Sequence, residues 1–292
     1  MFRFTKVLSL LCVSGALFAA PTTTTAPAAT ATTSQAPVAL IDKDQARIVG
    51  EFDLRPSYTS KAGEIHTEDT VNLGYQFDRT VTLDYTQYFL TNFMNPDSST
   101  SGTQLRADDG FARLKLKDVI KENDTTLGVQ TRVYLPTHSG RRDAGMVMSW
   151  RNQVTIAQKL NNSASVDFTI APYLHAYNRP GTTVAGADQA NPWFTQRLIL
   201  NADVNLTDKL TLSVPFYFDA NRTRNFSATA KNNDSWNYML VVWPEVNYQL
   251  TSNVKIGGAW YSDNFLVADG SGFALKDGAE KGVFQLIMNY SL

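Results

Sequence analysis

Cysteine is almost missing from this chain. The 292 residues contain one, Cys12, and it falls in an apolar leader, so the mature chain has no disulfide framework and no thiol chemistry. Long apolar runs are missing too. Beyond residue 20 no stretch approaches the ~18 consecutive apolar residues of a transmembrane helix. Charge is scarce: Asp, Glu, Lys and Arg make up 18% of the chain, against about 25% in ordinary soluble domains. The net charge of −1 offers no electrostatic footing for nucleic acid. Histidine occurs three times, at His66, His138 and His175, without ligand spacing, so neither a metal nor a cofactor is expected. No glycine-rich phosphate loop is present.

The chain begins like an export signal. Arg3 and Lys6 precede an apolar core from Val7 to Phe18, and Ala19 and Ala20 offer small residues for cleavage. Leu11 stands before Cys12 where a lipoprotein signal needs a small residue. Residues 1–20 are therefore expected to be a signal peptide. The Thr/Ala/Pro-rich stretch that follows cannot bury a core, so residues 21–45 are read as a flexible tail. Residues 46–292 form the folded part.

That part is a series of alternating segments. The last runs Gly-Val-Phe-Gln-Leu-Ile-Met-Asn-Tyr-Ser-Leu from Gly282 to Leu292. Phe284, Leu286, Met288, Tyr290 and Leu292 share one face at period two, opposite Gln285, Asn289 and Ser291. Eleven further segments of this kind precede it, from Ile48 to Asp263. Every second connection between them is short: 77–80, 121–124, 160–163, 206–209 and 250–253. The others, 60–69, 95–110, 137–145, 178–192, 222–235 and 264–281, are longer and polar.

Twelve alternating strands with tight turns at one end and long loops at the other resemble a bacterial outer-membrane β-barrel of the small, porin-like, twelve-stranded channel type. The terminal strand resembles the closing strand that such proteins present to the barrel-assembly machinery, although Leu292 stands where an aromatic is usual. The fold class implied is an all-β, closed antiparallel transmembrane barrel. Closure fits the physics, because in lipid each backbone N–H and C=O must pair internally and no edge can stay open. Tyr75, Phe77, Tyr248 and Tyr290 sit near turn ends and are expected to form an aromatic girdle. Outer-membrane lipid and lipopolysaccharide are the implied surroundings, and the tail would be periplasmic.

Function then has to lie on the polar, inward side. Basic residues cluster early: Arg113, Lys115, Arg132 and Arg151 on strands four to six. Acids follow on strands seven to eleven: Asp167, Asp203, Asp219, Glu245 and Asp263, with Arg197 among them. In a ring of twelve this sets a basic wall across from an acidic one, an arrangement that orients water and polar solutes in a pore. The same charges, together with Glu51, Asp53 and Arg55, can instead pair directly and plug a narrow barrel. Tyr134, Tyr173, Tyr177, Tyr217 and Tyr261 point inward on this register. The sequence thus predicts passive diffusion of small polar solutes or ions, with a plugged structural or surface-recognition barrel as the alternative and oligomeric state open.

An enzyme is not expected. Residues Leu135 to Arg142 and Ser149 to Asn152 resemble outer-membrane phospholipase A, which is also a twelve-stranded barrel. That family needs His and Ser on one lipid-facing side, two residues apart. Here His138 and Ser139 are adjacent and would face opposite ways if extended. His66 and His175 have no serine at a matching offset. His138 with Asp143 imitates the acid–histidine pairs of outer-membrane proteases, in a loop where such a pair arises by chance.

Overall fold

The computed structural model describes residues 46–59, 64–94, 104–184, 187–227, 229–230, 233–262 and 282–292. The expected signal peptide and tail, and Asp263, lie outside the described residues. The strands of the barrel are β1 (Arg47–Leu54, resuming as Pro56–Thr59), β2 (Glu64–Gln76), β3 (Val81–Met94), β4 (Gln104–Ala107 and Gly110–Glu122), β5 (Thr125–Leu135) and β6 (Met146–Lys159). They continue as β7 (Ala164–Tyr177), β8 (Pro192–Asn205), β9 (Leu210–Thr223), β10 (Trp236–Val242 and Glu245–Gln249), β11 (Val254–Tyr261) and β12 (Val283–Ser291).

Each strand pairs antiparallel with its sequence neighbour, and β12 closes the ring on both parts of β1. The closing registers are Phe52↔Tyr290 and Ser57↔Gln285. The final residue extends the seam, with the Leu292 N–H donating to the Gly50 carbonyl at 2.9 Å.

Alternation decides which side each residue takes. On β12, Phe284, Leu286, Met288 and Tyr290 are 45–64% exposed on the outside, while Val283, Gln285, Ile287 and Asn289 are buried inside. The outside repeats this all round the ring with Leu73, Leu83, Ile156, Ile170, Leu200 and Val246. Exposed apolar surface on this scale is unsustainable in water and suits lipid. Tyr75 packs edge-on against Phe77 at 5.0 Å, and both are exposed beside the first tight turn.

The tight turns repeat one solution. Leu160, Leu206 and Leu250 each donate a backbone N–H to the carbonyl four residues on, at 2.8–2.9 Å. The next side chain then caps the turn. Thr207 accepts from Lys209 N and Leu210 N, Thr251 from Asn253 N and Val254 N, and Asn161 from Ser163 N. Phe77–Val81 is built alike, with Asp78 as the cap. The β4–β5 hairpin differs: it turns at Asn123, which adopts φ 50°, a left-handed geometry that asparagine tolerates well.

One connection is shorter than its polar composition suggests. Residues 60–69 read as a loop, but β2 already begins at Glu64. Residues 64–67 pair with Pro56–Thr59 and residues 65–70 with β3, and ladder pairing on both sides outweighs weak strand propensity. Two other outer loops carry structure of their own. A five-residue helix, α1 (Ser139–Asp143), fills the β5–β6 loop. A small hairpin, Gly181–Val184 with Ala187–Ala190, fills the β7–β8 loop. Asn191 ties these two loops together, donating to the Ala144 carbonyl at 2.9 Å and to that of Arg179 at 3.1 Å.

Candidate functional site: the lumen

The barrel encloses a cavity of about 1430 Å³ bordered by inward residues of most strands. Its most distinctive wall is a row of cationic side chains at one level. Cross-strand register sets Asp84 beside Arg113, Arg113 beside Arg132, Arg132 beside Arg151, and Arg151 beside Tyr173. Three arginines on adjacent strands repel one another, and like charges directly opposite destabilise a sheet.

Only the first has a carboxylate. Arg113 grips the buried Asp84 at 2.9–3.0 Å. Arg132 reaches Gln130 at 3.2 Å and the Tyr134 hydroxyl at 3.4 Å. Arg151 also reaches the Tyr134 hydroxyl, at 3.4 Å. It is 4% exposed, and its Nε has no acceptor. The described residues provide no carboxylate partner for either. Aromatic faces take that place: Arg132 lies 4.6 Å over Phe111 and Arg151 4.8 Å over Tyr173, geometries that stabilise a cation without neutralising it.

The other expected charges divide three ways. Arg197 and Asp219 neutralise each other at 2.6–2.7 Å. Asp167 and Asp203 share the side-chain amide of Asn201 at 3.1 and 2.9 Å, with no cation beside them among the described residues. Glu245 lies 3.8 Å from Arg55, which Asp53 holds more closely at 2.8 Å. Lys115 lines the cavity without a described ion pair.

Across the lumen, β1, β2 and β10 supply acid. Asp53, Glu68 and Glu245 border the same cavity as Arg132 and Arg151. Glu68 accepts from Gln285 at 3.1 Å and from Tyr261 at 3.3 Å, and lies 3.4 Å from His66. Glu68 therefore joins Glu245 on the acidic side, while Asp219 and Asp53 are each held by an arginine, Arg197 and Arg55.

Tyr134, Tyr173, Tyr217 and Tyr261 line or border the lumen as expected, joined by Phe111 and Trp243. These two aromatics and Asp84 went unnoticed in the sequence as site residues. Their inward parity was readable, but their partners lie on other strands. At the outer mouth Arg141 of α1 contacts Asp109. Burial pushes the Asp109 carboxyl up, and Arg141 opposes that shift.

The phospholipase-like stretch does not form a lipid-facing site. His138 precedes α1 and Ser139 begins it, and the His138 N–H donates to Asp109 at 3.3 Å at the mouth. His175 is different. Sequence offsets left it without a serine, but the β6–β7 register places Ser149 directly opposite. Ser149 Oγ lies 2.6 Å from His175 Nδ1.

No protein-family model matches the chain, and no curated protein matches it. Among solved structures it is similar to the COG4313 outer membrane channel from Pseudomonas putida F1, at 14% identity and a TM-score of 0.58, covering 89% of this chain and 100% of that one. It is also similar to the NanC porin, at 9% identity and a TM-score of 0.55, covering 82% and 100%. At such identities the likeness is one of fold, and the fold is that of small outer-membrane channels.

Proposed function

We propose that the protein is a bacterial outer-membrane pore for small polar solutes and ions, and that it prefers anions. One observation carries the reading: Arg132 and Arg151 stand side by side on the lumenal cavity with no carboxylate among the described residues to neutralise them. Like-charge juxtaposition costs stability and is compatible with a wall that meets mobile anions.

Among the described residues, the ion pairs do not fill the barrel. The strong pairs, Arg113–Asp84 and Arg197–Asp219, join neighbouring strands, so these side chains lie along the wall and not across the lumen. Among the described residues the interior keeps a cavity of about 1430 Å³. The acidic side at Glu68 and Glu245 supports a transverse field, and Arg132 and Arg151, with no carboxylate partner among the described residues, make their own stretch of the wall favourable to anions. The exposed apolar exterior supports contact with lipid and lipopolysaccharide, and the outward row Phe284–Leu292 supports recognition of the last strand by assembly machinery.

The test is single-channel recording in a planar bilayer under a salt gradient. The wild type should conduct in reproducible steps with a reversal potential on the anion side. Arg132→Gln with Arg151→Gln should move that potential towards cations. A folded but silent barrel, or an unmoved potential in the double variant, refutes the reading.

A further inference from the structure

We infer that the lumen also holds a nucleophilic serine, Ser149, activated by His175 and able to cleave small esters carried by anionic solutes. Four consecutive strands each contribute one side chain to a hydrogen-bonded chain. Ser149 on β6 meets His175 Nδ1 at 2.6 Å. His175 Nε2 on β7 meets Thr195 Oγ1 on β8 at 2.9 Å. Thr195 donates to Asn221 Oδ1 on β9 at 2.5 Å.

The far end of the chain fixes its direction. With Asn221 Oδ1 turned to Thr195, the threonine gives its one proton there, its oxygen accepts, and His175 Nε2 carries the hydrogen. Nδ1 is then bare and accepts from Ser149. That is the tautomer a general base needs, with the ring oriented by a third group. Ser149 and Thr195 are 3% and 6% exposed, yet Ser149, His175, Thr195 and Asn221 all border the lumenal cavity. Ser149 is thus shielded by its partners and reached from the pore.

The neighbouring charges name the substrate class. Arg151 lies two residues from Ser149 on the same inward face, and its buried Nε–H has no acceptor. It supplies positive charge against which a carbonyl oxygen can become an oxyanion. Arg132, next along the row, suits the anionic part of the solute. In the first step a bond forms from Ser149 Oγ to the acyl carbon while the serine proton passes to His175 Nδ1. The ester C–O bond breaks, and the departing alkoxide takes that proton. A lumenal water then gives its proton to His175 and attacks the acyl-serine. Ser149 regains the proton, and the carboxylic acid leaves.

The test uses the full barrel, folded in detergent and checked by its mobility unboiled. A fluorophosphonate probe and 4-acetoxybenzoate, a small ester bearing a carboxylate, are offered in turn. Acid-quenched protein should carry the phosphonyl or acetyl group on the peptide containing Ser149, and acetate should be released with turnover. Ser149→Ala should abolish labelling. His175→Gln should lower the labelling rate by about 10²–10⁴-fold, the span of general-base catalysis. Thr195→Val should lower it as well, and Thr195→Ser should restore it, a rescue that a purely packing role would not produce. Absence of labelling in the folded wild type, or equal labelling in Ser149→Ala, overturns the inference.

Discussion

Arg113 has a carboxylate within reach and Arg151 has none among the described residues, and this difference sets what each does. Arg113 is held by Asp84, which is 5% exposed. Asp84→Asn should leave a third uncompensated arginine on the wall. The expected outcome is a reversal potential moved further to the anion side, with the unfolding midpoint lowered in denaturant titration. A charge-assisted hydrogen bond is worth about 1.5–3 kcal/mol, and Arg113 is partly exposed to lumenal water, so the loss should lie at or below the bottom of that range. An unchanged potential would mean that Asp84 does not compensate Arg113 in the conducting state. At this scale the sequence was partly legible. Period-two parity puts Arg113, Arg132 and Arg151 on one face, where the register sets them side by side. Parity cannot pair residues 29 positions apart, as Asp84 and Arg113 are, or 26 apart, as Ser149 and His175 are. Those contacts need the register between strands, which the turns set and local spacing does not reveal.

Strands and turns carry separable tasks. The outward face of β12 meets lipid, so a charge there is costly. Met288→Arg should destabilise folding into bilayers by about 2–4 kcal/mol if it lies near the midplane, read from folded fraction against urea. A neutral outcome would place Met288 outside the hydrocarbon. The turns make a pH prediction. Hydrogen bonds from Thr80 and Val81 hold the Asp78 carboxyl below its ordinary range. A depressed acid stabilises above the unfolded value, about 3.9, and its contribution fades as pH falls through the lowered folded value. Asp78→Thr copies the caps at Thr207 and Thr251, which do not titrate. It should keep the turn and remove this acid-range step from the melting temperature. Persistence of the step would trace it to another group. The elements were the most legible level, since alternation and turn caps are local. The start of β2 was missed because Glu64–Asp69 is polar, and its strand state comes from pairing on both sides.

For the whole molecule, closure was legible from the rhythm of short and long connections, because only a ring reconciles twelve half-apolar strands with lipid. The balance of the lumen was not. Opposed basic and acidic walls follow from strand order, but which charges remain free depends on which pair first. Arg197 and Asp219 neutralise each other, as Arg55 and Asp53 do, while Glu68 strengthens the acidic side. The enzyme question turned on the same point: the likeness around His138 lay in a loop, while the serine–histidine contact arose from the β6–β7 register.

The row Arg113–Arg132–Arg151 has a consequence for how the barrel comes to be built. A slip of one residue between β5 and β6 would exchange the two faces of a strand. Arg151 and Gln153 would turn to hydrocarbon, and Trp150 and Val154 to water. With the arginines spread over three successive strands, a hairpin slipped by one residue anywhere among them strands a guanidinium in lipid. The same charges thus also proofread assembly against every odd slip, each of which leaves a cation in oil.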